Sequence, residues 1–74
     1  MLRVYARAGC GLCEEMAAAL TAAGVAFEEV DVDGDLGLTA RYGRRVPVLV
    51  DAQGKEICHA RLDAAALRAH LELE

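Results

Sequence analysis

Ala8-Gly9-Cys10-Gly11-Leu12-Cys13-Glu14-Glu15-Met16 is the stretch whose reading decides the fold. Two cysteines stand two residues apart, after a short apolar run and at the opening of a helical pattern. The first turn of a helix carries unsatisfied N–H groups and the positive end of the macrodipole, so Cys10 lies where a negative charge is welcome. A thiolate is the nucleophile of disulfide exchange, and a position that lowers a cysteine pKa creates reactivity. Cys13 follows one turn on, close enough to attack a mixed disulfide formed at Cys10. Glu14 and Glu15 disfavour ionisation of Cys13, which makes it the second attacker. A Cys-x-x-Cys pair at a strand-to-helix junction reads as a redox motif.

The pattern on either side of the pair is that of an α/β chain. Leu2 to Ala6 alternates as a short strand, and Arg7-Ala8-Gly9 is the loop that follows. From Gly11 to Ala23 the spacing is helical, with Leu12, Met16, Leu20 and Ala23 at steps of three or four, and Gly24 is the expected stop. Val25 to Val32 reads as a second strand, placed at an edge by its acids, with Val30 and Val32 on one face and Phe27 on the other. Leu36 to Tyr42 is a short helix whose apolar residues are Leu36, Leu38 and Tyr42, ended at Gly43. Val46 to Val50 is a buried strand, with Pro47 tolerable near its start. Asp51 to Lys55 is a hairpin turn in which Gly54 takes a left-handed conformation, and Glu56 to Ala60 returns as the fourth strand. Asp63 caps a last helix from Ala64 to about Leu73; Leu62 staples onto Leu67, and Leu67 and Leu71 face the sheet. The predicted order is β-α-β-(α)-β-β-α over one domain, residues 1–74. The first two strands are parallel through a right-handed crossover, in a mixed four-stranded sheet flanked by helices.

Composition bounds the function. At 74 residues there is room for a single small domain, and 55% hydrophobic residues supply a core despite 4% aromatics. Three cysteines make no disulfide framework, and the odd one argues against a secreted scaffold. Met1-Leu2-Arg3 runs straight into a strand, which leaves no space for a signal peptide, and no run approaches the roughly twenty apolar residues of a membrane span. The expectation is a soluble, monomeric protein of a reducing cytoplasm. A net charge of -4 excludes the basic footprint of a nucleic-acid binder. Arg7, Arg41, Arg44 and Arg45 nevertheless fall beside the expected site, where a positive pocket would favour a thiolate and attract an anionic thiol.

Other residues carry weaker signals. Asp31-Val32-Asp33-Gly34-Asp35 has the outline of a calcium loop, but its glycine is misplaced and Tyr42 stands where the bidentate glutamate belongs, so solvated acids are the better reading. Cys58 is expected to pack as a small hydrophobe in a strand. Cys10, Cys13, Cys58 and His59 form a Cys3His zinc set on paper only, because a second Cys-x-x-Cys is lacking. His70 suits a last helical turn at the surface, and Tyr5 and Tyr42 suit packing.

This order of elements, with Cys-x-x-Cys opening the first helix and Val46-Pro47 opening the third strand, resembles the glutaredoxin branch of the thioredoxin fold. The run Tyr5-Ala6-Arg7-Ala8-Gly9-Cys10 is similar to the family's Tyr-Ser-Lys-x-x-Cys, with Arg7 at the basic position. The runs Gly9 to Glu14 and Arg45 to Leu49 look closest to short glutaredoxin-like proteins whose activity is poorly defined. The resemblance implies a thiol–disulfide oxidoreductase with Cys10 as nucleophile and Cys13 resolving. It implies a cis Val46–Pro47 bond that presents the Val46 backbone beside Cys10. Arg7, Gly11, Leu12, Arg45, Val46 and Pro47 would form the substrate surface. No metal or organic cofactor is required. Glutathione or a thioredoxin-type reductant is the expected electron donor, and glutathione or a disulfide-containing peptide or protein the partner. Two departures stand out. Gly11-Leu12 replaces the usual Pro-Tyr between the cysteines, and Cys58-His59-Ala60-Arg61 replaces the Gly-Gly run that contacts glutathione. They keep open a second class, a redox-sensing or thiol-binding module that oxidises with little turnover.

Overall fold

The computed structural model describes residues 1–73; Glu74, the last residue of the expected domain, lies outside them. Strand β1 (Leu2–Ala6) leads to helix α1 (Gly11–Ala22) and strand β2 (Phe27–Asp31). A 3-10 turn (Val32–Gly34) precedes helix α2 (Leu36–Tyr42), strands β3 (Val48–Val50) and β4 (Glu56–His59), and helix α3 (Ala64–Leu73). The four strands form one mixed sheet in the order β2-β1-β3-β4. β1 and β2 are parallel, and β1–β3 and β3–β4 are antiparallel. This is the α/β architecture expected from the sequence.

Register brings distant loops together. Ala6 pairs with Asp31, Tyr5 with Val48, and Val48 with His59. The end of β1, the end of β2, the start of β3 and the end of β4 therefore lie at one edge of the sheet. Four connections converge there, at residues 7–10, 32–35, 43–47 and 60–63. The Cys-x-x-Cys pair is in the first of them.

Alternation assigns the two faces. Leu2, Val4 and Ala6 of β1 and Leu49 of β3 join Cys13, Met16 and Leu20 of α1 and Leu67 of α3 in the larger core cluster. Val48 and Val50 turn to the other face and meet Val32 and Tyr42, with Tyr5 and Leu38 packed alongside. Tyr5 and Tyr42 stack there with ring centroids 4.5 Å apart. β3 is thus buried on both sides, which accounts for its unbroken apolar run. No helix among the described residues is long and apolar enough to cross a membrane.

Several sequence expectations need correction. The inward face of α1 is Cys13, Met16 and Leu20, while Leu12 is half-buried and Ala23 exposed; the helix docks rotated toward its second cysteine. Val32 is buried but belongs to the 3-10 turn, because Asp31 accepts the Asp33 N–H (2.9 Å) and ends β2. Val46 and Pro47 precede β3 instead of belonging to it, and Ala60, at φ 64°, falls outside β4. Leu36 is 90% exposed and Leu71 43%, so neither is part of the core. The acids of the calcium-like run cap and pair: Asp35 accepts the Leu38 N–H (3.0 Å) at the start of α2, and Asp33 binds Arg7.

Candidate redox site

Cys10 is the N-cap of α1. Its backbone is extended (φ -95°, ψ 107°), and its sulfur accepts the Cys13 N–H at 3.1 Å. One orphan amide of the helix end is thereby aimed at the sulfur, the arrangement that favours a thiolate. Cys10 and Cys13 are joined as a disulfide, with Cα atoms 5.2 Å apart, a separation that suits such a bond. The two sulfurs are not equivalent. Cys10 is half-buried at the rim, whereas Cys13 is 4% exposed within the core.

Pro47 follows a cis peptide bond and is fully buried, while Val46 and Cys10 both pack against the larger core cluster. The Pro47 carbonyl accepts the Ala60 N–H (2.8 Å), so the end of β4 is tied to this loop. The Arg61 N–H donates to the His59 carbonyl (2.7 Å) in a tight turn around the left-handed Ala60. Gly11 is exposed and Leu12 half-buried between the cysteines.

The arginines are mostly committed. Arg7 donates to both Asp33 oxygens (2.7 and 3.3 Å) and to the Gly43 carbonyl (3.0 Å), bracing the loop before Cys10 against the end of α2. The hydrogen bond from Arg7 to Asp33, with their attraction, raises the guanidinium pKa further. Arg45 is paired with Glu56, whose other oxygen lies 3.1 Å from His59 Nδ1. Burial pushes the Glu56 carboxyl up, but the bonds from Arg45 and His59 outweigh it and hold it below the usual range. Arg41 lies over the Tyr42 ring, 5.2 Å from its centroid. The positive pocket expected from four neighbouring arginines is therefore partly cancelled. The helix end remains as the local stabiliser of negative charge at Cys10.

Cys58 is buried on β4, in the same core cluster as Cys13. Burial pushes its thiol pKa up, the reverse of activation. His59 turns to Glu56, and among the described residues no three His, Cys, Asp or Glu side chains gather to hold a metal ion. The Cys10–Cys13–Cys58–His59 set is not assembled.

The glutaredoxin-like domain (DUF836) family matches residues 1–72. The chain belongs to this glutaredoxin-like family. An X-ray structure of a structural genomics target protein from X. campestris is 41% identical, with a TM-score of 0.82, covering 100% of this chain and 99% of that one. A solution structure of a protein from Nitrosomonas europaea is 42% identical, with a TM-score of 0.84, over 93% and 87% of the two chains. The holo form of glutaredoxin C1 from populus tremula x tremuloides shares the fold at 20% identity, with a TM-score of 0.62, over 99% of this chain and 75% of that one. Among curated proteins none matches.

Sequence reasoning did not find the partners of this glutaredoxin-like site. Asp33 and the Gly43 carbonyl stand 26 and 36 residues from Arg7, and Glu56 eleven from Arg45. Only the sheet register supplies those pairings. Gly43 carried a signal, as a glycine after a helical run, but its role is close approach. A Cβ there would lie 2.5 Å from the Thr39 carbonyl oxygen.

Proposed function

We propose that this glutaredoxin-like chain is a thiol–disulfide oxidoreductase with Cys10 as the attacking sulfur and Cys13 as the resolving one. The observation that carries the reading is the asymmetry of the pair: one sulfur at the rim, capped by a helix amide, and its partner sealed in the core. The Cys10 thiolate attacks a substrate disulfide. A bond forms to Cys10 as the substrate S–S bond breaks, and the departing sulfur leaves with the electron pair as a thiolate. Cys13, its proton passed to water or to Glu14, then attacks Cys10. The second substrate sulfur leaves as a thiolate, and Cys10–Cys13 is left oxidised by two electrons. Two glutathione thiols, or the dithiol of a thioredoxin-type reductant, return the pair to its reduced form.

The chain acts as a monomer in the cytoplasm, on glutathione or a disulfide-containing peptide or protein. Arg7, Gly11, Leu12, Arg45, Val46 and Pro47 form the surface along which the substrate lies, and no metal or organic cofactor takes part. One set of observations favours the second reading, a redox-sensing or thiol-binding module. Arg7 and Arg45 are internally paired, and the Ala60 N–H is spent on Pro47, so less is left to hold a small anionic thiol. Glutathione-coupled reduction of a small mixed disulfide separates the two. Turnover that requires Cys10 supports the enzyme; a Cys10–Cys13 pair that titrates without turnover supports the module.

A further inference from the structure

Beside the redox pair, α1 and the β4–α3 connection enclose a groove of about 280 Å³. Leu12, Met16, Ala19, Ala60 and Leu62 supply apolar walls, and Arg61 and Glu15 stand at the rim. Leu12 is both a wall of the groove and a residue between the two cysteines. The volume is at the small end of ligand sites, about 300–1,000 Å³, and is ample for one large apolar side chain.

Resting on the oxidoreductase reading, we propose that this groove receives a large apolar side chain adjacent to the substrate cysteine, so that the chain prefers peptide or protein disulfides carrying such a residue. Covalent attachment determines the occupant. A mixed disulfide at Cys10 anchors the substrate chain, and its next residues, each spanning at most about 3.6 Å, run alongside Leu12. The chemistry of the surroundings supplies the preference. Arg7 and Arg45 are matched by Asp33 and Glu56, and the Ala60 and Arg61 amides are used internally. At the groove itself the charges are a loosely paired Arg61 and Glu15 at the rim, while the walls offer unfilled apolar surface. The Arg61–Glu15 pair at the rim is long, 4.0 Å, and both side chains are exposed, so it opens at little cost to admit a side chain.

The test uses the Cys13→Ser chain, which holds the mixed disulfide, and two peptides identical except for Leu or Ser next to the single cysteine. Each is presented as a disulfide with the same small thiol leaving group, and oxidised glutathione is run beside them. Adduct formation is followed by mass spectrometry. The Leu peptide is expected to react about tenfold faster or more, the discrimination typical of one apolar group in a fitted pocket. Ala19→Glu, which sets a charge in the groove wall, should bring the ratio toward one. Equal rates for the two peptides on the unaltered groove, or an undiminished ratio with Ala19→Glu, overturn the groove and leave the oxidoreductase reading standing. Failure to form an adduct with any of the three disulfides overturns that reading instead.

Discussion

Cys10 and Cys58 are the same side chain placed at two ends of the physics that governs thiols. Cys10 caps a helix, accepts an amide hydrogen bond at 3.1 Å and reaches the rim of the molecule. Cys58 sits within β4, buried in the larger core, with its thiol pKa pushed up by burial. Both rest on the same cluster of apolar residues. What separates them is direction: α1 offers its end to the sulfur, whereas β4 offers only the packed face of a sheet. Reactivity here is a property of position, and Cys13 shows the intermediate case, buried like Cys58 yet one turn from the capped sulfur.

Exchanging the groups gives the largest effect. Cys10→Ser should reduce disulfide exchange to background, a loss of at least about 100-fold, because an alcohol at this position is not ionised. Cys13→Ser should instead accumulate a mixed disulfide, visible as a mass increase removed by dithiothreitol. A stable adduct through Cys13 in the Cys10→Ser chain would invert the assignment. Cys58→Ser should leave exchange within about twofold and cost stability, about 1–3 kcal/mol for a hydroxyl placed in the core, read from urea unfolding.

The frame that holds both cysteines can be strained separately. Gly43→Ala sets a Cβ 2.5 Å from the Thr39 oxygen, against backbone that cannot move cheaply. A loss of about 1–3 kcal/mol is expected, with the reactivity of Cys10 altered less than its melting temperature. Ala60→Gly should act in the opposite direction. Ala60 holds φ 64°, a conformation that costs an L-residue about 1–2 kcal/mol, and glycine would recover part of it, about 0.5–1 kcal/mol.

Acid gives a smaller and graded response. Asp51 accepts the Lys55 and Gln53 N–H groups (2.9 Å each) in the hairpin turn; the Lys55 bond leads in holding its carboxyl below the usual range, against the opposing effect of burial. Glu56 is also held low. Unfolding returns both groups to ordinary values, so the folded chain binds fewer protons there. Their contribution is full above about pH 5 and fades as pH falls through the lowered values. Asp51→Asn should flatten the decline in unfolding midpoint below pH 5; an unchanged slope would show that the turn carries no linked proton.

Much of this was legible from the chain. The order of elements, the exact span of α2 and the turn at Gly54 follow from periodicity and glycine punctuation, and the β3 core run from its unbroken valines and leucine. The site was legible where chemistry is local: Cys10 at a helix start, Cys13 one turn on. What was hidden depends on docking and register. The rotation of α1 that buries Cys13 and leaves Leu12 at the rim is set by the sheet beneath it. Asp33 reaches Arg7 only after the ends of β1 and β2 are brought side by side, and Glu56 reaches Arg45 only across the β3–β4 pairing. Leu36, the first residue of α2, is 90% exposed, and Leu71, near the end of α3, is 43% exposed, so an apolar pattern alone did not tell which leucines enter the core.

Site-resolved alkylation of the reduced chain against pH tests the central contrast most directly. Cys10 should react with iodoacetamide at neutral pH well ahead of Cys58, whose thiol burial holds protonated to higher pH than an ordinary cysteine. Cys10 reacting no faster than Cys58 at neutral pH would contradict the account.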